Sequence, residues 1–248
     1  MQTEIIGGRN AVLEALKSSR RQIVELMISE SSDDRRLRAA MKIARRKGIR
    51  VSFHSRKELD ELAHGLNHQG IIAVASPMEY SPLDEIIERA FLPGTQPLIV
   101  VLDHIQDPHN LGAIIRTAEA VGAHGVVIPK KRAVGVTPAV VKTSSGATDH
   151  IPIARVSNIV QSLERLKDKG VWTIGLIPDA DRTIYQVDLT GPIALVIGGE
   201  GEGISRLVSE RCDLLASIPM SGKVGSLNAS VAAAVAMYEV FRQRLCPS

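Results

Sequence analysis

The sequence predicts an α/β protein in two parts, and three observations carry that expectation. Short apolar runs alternate with amphipathic stretches along the 248 residues. Beyond residue 95 those runs are continuously apolar, as strands are when helices cover both faces of a parallel sheet. Between the parts lie Pro77, Pro82, Pro93 and Gly94, which punctuate a linker around the short amphipathic segment DEIIERAF. The expected organisation is a domain over residues 1–76, a linker over 77–95 and a second domain over 96–248.

In order along the chain, residues 8–18 read as a helix with Ala11, Val12, Ala15 and Leu16 on one face, followed by the strand QIVELMI (22–28). Ser31 to Asp34 supply capping side chains for the next helix. There Leu37, Ala40, Met41 and Ala44 fall at i, i+3, i+4 and i+7, and Gly48 ends it. The strand IRVSFH (49–54), a short helix near 57–63 and the strand IIAVA (71–75) complete the first part. The second part alternates LIVVL (98–102), a helix near 110–122, GVVI (125–128), and helices near 136–143 and 157–169. WTIGLI (172–177), IALVI (193–197), the strand-like LLASI (214–218) and a long helix near 227–245 follow.

Charge divides the same way. Residues 1–76 hold 14 Lys/Arg against 9 Asp/Glu, a net of +5, whereas residues 77–248 hold 16 against 18, a net of −2. Arg35, Arg38, Lys42, Arg45 and Arg46 line the outer side of the second helix. Such a stripe is either a solvated face or a set of phosphate contacts that positions a protein on RNA. Gln69, between His68 and Gly70, is either a further RNA contact or a turn residue. With 1 Trp, 3 Tyr and 3 Phe, the chain lacks the rings of a recognition module that stacks several bases. No apolar run approaches a membrane span, and the N-terminus has no signal-peptide pattern. Cys212 and Cys246 have no metal-ligand or redox spacing, which suits the cytoplasm. His64 and His68 stand at i, i+4 without an adjacent Glu, so no metal is expected.

Ligands of parallel sheets collect at the carboxyl ends of strands, and three loops there stand out. DHIQDPHNLG (103–112) leads into a helix carrying Arg116, which, on a buried side, needs an anionic partner. Pro108 and Asn110 read as turn and N-cap residues of that helix. GGEGEG (198–203) follows IALVI, but it is no dinucleotide fingerprint: from Gly199 the i+5 residue is Ile204, and from Gly201 it is Arg206. That weighs against a nucleotide-dependent oxidoreductase. IPMSGKVGSLN (218–228) runs into an Ala/Val-rich helix, with Ser226 and Asn228 where caps belong.

In order and spacing, DPHNLGAIIRTAEAVGAHGVVIP (107–129), LVIGGEGEGIS (195–205) and SIPMSGKVGSLNASVAAAVAMYE (217–239) resemble the three motifs of the SpoU (TrmH) family. These are RNA 2′-O-ribose methyltransferases of the SPOUT superfamily. IIGGRNAVLEAL and NHQGIIA resemble the family's substrate-binding domain, so essentially the whole chain is covered. The resemblance implies a C-terminal trefoil-knotted parallel-sheet domain, a fold that physical rules against threading would not suggest. It also implies a small N-terminal α/β substrate-binding domain, S-adenosylmethionine as cofactor, and a homodimer with active sites at the subunit interface. Cofactor contacts map to Gly198, Ile218 and Leu227, with Gly203, Pro219, Met220 and Ser226 nearby. Catalytic positions map to Asn110, Arg116, Glu200, Ser226 and Asn228. A guanidinium has no acceptor lone pair, so the conservative role for Arg116 is to grip the RNA phosphate beside the target ribose. Glu200 then orients Arg116 or holds a backbone amide, with Glu202 as a substitute. The implied substrate is the ribose of a guanosine in 23S ribosomal RNA. The alternatives are a tRNA ribose and, from another class, a catalytically idle RNA-binding assembly factor.

Overall fold

Two sheets carry the fold of this computed structural model, which describes residues 3–30, 34–201 and 203–245. The chain up to Glu79 and the segment Val136–His150 form one unit; Tyr80–Gly135 and the chain from Ile151 onward form the other.

The sheet of the first unit has the order β1-β4-β2-β3. Strand β1 (Glu4–Gly7) pairs antiparallel with β4 (Ile71–Ala75); β2 (Ile23–Ser29) runs antiparallel to β4 and parallel to β3 (Arg50–His54). Helices α1 (Arg9–Lys17) and α2 (Arg35–Arg46) bury Val12, Leu16, Leu37 and Ala40 with Leu26 and Ile28. Helix α3 (Arg56–Leu62) brings Leu59 against Ile72, beside Ala63. Asp34 caps α2 by accepting from the Arg36 N–H at 2.7 Å. The other three expected caps, Ser31 to Asp33, lie outside the described residues. Strand β1 was not anticipated, because a four-residue run ending in glycine carries no periodic signal.

The segment Val136–His150 clusters with this first unit, although the sequence assigns it to the second domain. The reason is its packing and polar chemistry. From α6 (Pro138–Thr143), Val141 enters the α1 core. The Ser18 hydroxyl donates to the Asp149 carbonyl at 2.7 Å, and His150 Nε2 lies 2.9 Å from Glu14 Oε2. Arg21 Nε lies 2.9 Å from Asp149 Oδ1, with side chains 1% and 0% exposed. The pair is electrostatic, since neither atom meets hydrogen-bond geometry. Arg21 also reaches Glu4 at 3.2 Å. Burial pushes the Asp149 carboxyl above the ordinary carboxylate range, and the attraction of Arg21 only partly opposes it.

The sheet of the second unit is parallel throughout, in the order β10-β8-β9-β5-β6-β7. Its strands are β5 (Leu98–Asp103), β6 (Gly125–Pro129), β7 (Ile153–Val156), β8 (Trp172–Leu176), β9 (Ile193–Gly198) and β10 (Leu214–Ala216). The chain moves outward from β5 through β6 to β7, then returns on the far side of β9. Strand order therefore reverses between β5 and β9, which defines the switch point where α/β sheets bind ligands. Helices α5 (Pro108–Ala120), α7 (Ile159–Lys167), α8 (Arg206–Ser209) and α9 (Ala229–Leu245) complete the unit with α4 (Leu83–Ala90). The stretch expected as a linker is largely absorbed into this unit, because α4 buries Leu83, Ile86, Ile87 and Ala90 in its core. Among the described residues, no helix is long and apolar enough to cross a membrane.

Candidate active site

The carboxyl ends of β5 and β9 are in register, with Asp103 opposite Gly198. Asp103 is 4% exposed and its carboxylate accepts from the Ser205 N–H at 2.8 Å, tying the end of the glycine-rich loop to β5. The loop must come close to manage this. A Cβ on Gly198 would lie 2.0 Å from the Gly203 carbonyl carbon, and one on Gly199 would lie 2.2 Å from the His104 carbonyl oxygen. Both obstacles are backbone, so only glycine fits. His104 itself takes a positive φ of 60°, a costly conformation outside glycine that marks a constrained turn.

Helix α5 starts earlier than the sequence suggests. Asp107 is its N-cap, accepting from the His109 N–H at 2.9 Å, and Pro108 occupies the first helical position. Asn110, expected as the cap, is instead inside the first turn and 7% exposed. Its side chain is thereby free for the site, and Asn110 Nδ2 donates to Glu200 Oε1 at 2.6 Å. Asn228 closes the cluster: its Nδ2 donates to Glu200 Oε1 at 2.5 Å and to Asn110 Oδ1 at 3.0 Å. The orientation of that amide is fixed by its other end. Asn228 Oδ1 caps α9, accepting from the Ser230 N–H at 3.0 Å, the Ser230 hydroxyl at 2.6 Å and the Val231 N–H at 3.3 Å. One carboxylate and two amides, from three segments far apart in sequence, thus meet at the switch point.

Glu200 borders two cavities. The larger, about 640 Å³, is lined by Gly198, Gly203, Ile218, Pro219, Met220, Ser226 and Leu227, every residue that the sequence analysis assigned to the cofactor. The smaller, about 270 Å³, is lined by His104 to Asp107, Asn110 and Glu200. Leu176, Ile177, Pro178 and Asp179 form a further wall of the larger cavity. The sequence places Leu176 and Ile177 in a strand and gives Pro178 and Asp179 no role, although all four stand at the carboxyl end of that strand, where ligands of such sheets collect.

Arg116 departs from expectation. It is exposed rather than on a buried side, because Leu111, Ile114, Ile115 and Ala118 make up the buried stripe of α5. Six residues separate it from Asn110, a displacement of about 120° around the helix. Glu200 is accordingly held by the two asparagines and not set to orient Arg116. Ser226 lines the cavity without capping α9, a role taken by Asn228. Glu202, the suggested substitute, lies outside the described residues, as does Cys246. Burial pushes the Cys212 thiol up to about 12, which leaves it inert.

In the first unit, Arg35, Arg38, Lys42, Arg45 and Arg46 are exposed along α2, as both a solvated face and a phosphate-facing stripe require. Gln69 is exposed with a positive φ of 53°, and its carbonyl accepts from Arg9 Nε at 3.0 Å. His68 is buried, its Nε2 2.9 Å from Asp60 and its Nδ1 accepting from the Gly70 N–H at 3.1 Å. It therefore shapes the turn that presents Gln69.

Comparison with known proteins agrees with this geometry. Residues 97–238 match the SpoU rRNA Methylase family, and residues 5–81 match a domain described as RNA 2′-O ribose methyltransferase substrate binding. The 23S rRNA (guanosine-2′-O-)-methyltransferase RlmB of Shewanella oneidensis is 42% identical, over 97% of this chain and 98% of its own. YacO of Bacillus subtilis, whose name leaves tRNA and rRNA both open, is 46% identical over 98% of this chain and 97% of its own. The SpoU methyltransferase AviRb of Streptomyces viridochromogenes, solved with AdoMet, superposes with a TM-score of 0.81 at 26% identity, covering 98% of this chain and 91% of that one.

Proposed function

The chain belongs to the SpoU rRNA methylase family, and from that premise we propose that it methylates the ribose 2′-oxygen of a guanosine in 23S rRNA. The observation that carries the reading is the Asn110–Glu200–Asn228 cluster, set where a donor-sized cavity meets a smaller one. The larger cavity lies within the range of small-molecule sites, roughly 300–1,000 Å³, and its glycine-lined wall suits S-adenosylmethionine, the cofactor of this enzyme family. When bound, S-adenosylmethionine supplies a methyl group on a positively charged sulfur.

The chain's own residues then have separable tasks. Asn110 and Asn228 hold the Glu200 carboxylate in one orientation, so it meets the incoming ribose without reorganising. Glu200 accepts a hydrogen bond from the 2′-hydroxyl, aligns its oxygen for attack and takes up the hydroxyl proton as the new carbon–oxygen bond forms, so the methylated oxygen is left neutral. Ser226 and Asn228 shape the cofactor side of the cavity. Arg116 grips an RNA phosphate and stabilises charge developing on the oxygen. Because it faces outward on α5, the task falls to Arg116 of the partner subunit in a homodimer. An exposed apolar line on α9 supports such a dimer: Val231, Tyr238 and Leu245, spaced seven apart, are 47%, 52% and 63% exposed. We further place the enzyme in the cytoplasm, with the trefoil-knotted threading of its family. The backbone-on-backbone approaches at Gly198 and Gly199 support that threading.

The choice of rRNA over tRNA rests on the likeness to the 23S rRNA (guanosine-2′-O-)-methyltransferase RlmB, 42% identical over 97% of this chain. The substrate-binding match over residues 5–81 and the basic face of α2 support RNA binding in general. Methyl transfer from labelled S-adenosylmethionine, assayed on 23S rRNA transcripts and on tRNA with the modified nucleotide mapped, tests both choices. Label at one guanosine ribose of 23S rRNA is the expected result. Label in tRNA alone overturns the substrate, and no label in either overturns the activity.

A further inference from the structure

Phe53 is the sole Phe, Tyr or Trp in the first unit. Its core is built from Ala, Leu, Ile and Val, and Phe53 is not part of it: the ring is 53% exposed. Its place in the fold is specific. In β3 it pairs with Ile28 of β2 and shares its sheet face with Val51, which packs on the core beneath α2. It therefore sits at the carboxyl end of the parallel β2–β3 pair, on the α2 side.

Cations collect at that same end. Arg35 and Arg36 open α2, and Arg56 and Lys57 follow directly after β3 and Ser55; all four are exposed. The first turn of α2 holds no acidic residue, although the helix dipole favours anions there and disfavours arginines. Two nearby carboxylates are already engaged. Asp34 caps α2 and pairs with Arg9 at 3.0 Å, while Glu58 closes a capping box with Ser55. Glu30 is exposed at the same end. One exposed ring and four exposed cationic residues thus share one end of the sheet.

We infer that Phe53 is a stacking platform for one unpaired base of the RNA substrate, with Arg35, Arg36, Arg56 and Lys57 holding the flanking phosphates. Charge selects this occupant. A single-stranded nucleic acid offers both a π-face and anions, whereas a base-paired helix presents no free face to stack. The inference rests on the RNA-binding part of the proposed function and refines it: the first unit selects a loop rather than a duplex.

The test measures binding by the full chain without S-adenosylmethionine, so that its outcome is independent of methyl transfer. The probes are a fluorescent hairpin RNA with a single-stranded loop and an uninterrupted duplex of the same stem. Phe53→Ala should weaken hairpin binding about tenfold, leave duplex binding unchanged and leave the salt dependence intact, since no charge is lost. Phe53→Trp should restore hairpin binding, and Arg35→Ala should weaken both probes and lower the salt slope. Unchanged hairpin binding by Phe53→Ala overturns the inference and leaves this face to a protein partner. Equal weakening of both probes, or failure of Phe53→Trp to rescue, also overturns it. If the hairpin results hold but no ribose is methylated, only the activity falls.

Discussion

Helices α2 and α5 are nearly the same length, 12 and 13 residues, yet they would meet RNA in opposite ways. Helix α2 buries only Leu37, Ala40 and Ala44 and leaves its arginines in solvent, where long side chains adapt to many phosphate positions. Helix α5 buries the polar Asn110 in a fixed amide–carboxylate cluster and exposes one arginine near its middle. Adaptable surface charge gives affinity that salt erodes and that reads little sequence. Fixed, partly buried hydrogen bonds give positioning, which chemistry requires and affinity alone does not supply.

If that division is right, the largest effect comes from Arg116→Ala: kcat should fall about 10²–10³-fold, the scale of losing one charge-stabilising donor, while calorimetric S-adenosylmethionine binding is unchanged. Wild-type turnover would erase the distinction between the helices. The next effect tests whether the first unit has a rigid interior beneath its adaptable face. Arg21→Met leaves Asp149 buried without its cation, which should cost about 3–5 kcal/mol near neutral pH. The native carboxyl then holds its proton to higher pH than the unfolded one. Stability should therefore decline from pH 3.8 upward through the native value, then level off, so the Tm deficit is smaller at pH 4 than at pH 8. A deficit independent of pH would contradict the assignment.

Gly198→Ala drives a Cβ into the Gly203 backbone and should cost about 1–3 kcal/mol, together with cofactor affinity. Gly201→Ala has open space and only its positive φ of 90° to lose, about 1 kcal/mol. Equal effects would mean that close approach is not what shapes the loop. The smallest change is Arg45→Ala: slightly weaker RNA binding, a salt slope reduced by about one, and unchanged kcat at saturating RNA. A lowered kcat there would blur the contrast with α5.

Much of this was legible in the residues. Buried strands announced themselves as apolar runs, and Gly, Pro and Asn crowded the three strand ends that form the site. What the sequence misread has local causes. Strand β1 is four residues long, too short for a periodic pattern. Asp107 took the cap expected at Asn110 because Pro108 suits the first helical position, which moved the helix start upstream. The buried side of α5 was readable after all: Leu111, Ile114, Ile115 and Ala118 form a stripe that excludes Arg116. The grouping of Val136–His150 with the first unit had no local signal, since it depends on a pairing between Arg21 and Asp149 across 128 positions. It also means that deleting residues 1–76 would strip Val141 of its packing, so point substitutions are the cleaner probe of RNA affinity.

The most direct measurement compares two RNA fragments that differ by one oxygen. Once the modified nucleotide is mapped, labelled methyl transfer is followed on the natural fragment and on one carrying 2′-deoxyribose at that position. Transfer to the natural fragment and none to the deoxy one is the predicted result. Label persisting on the deoxy fragment would place the methyl group on the base, and the role given to Glu200 beside the ribose would be wrong.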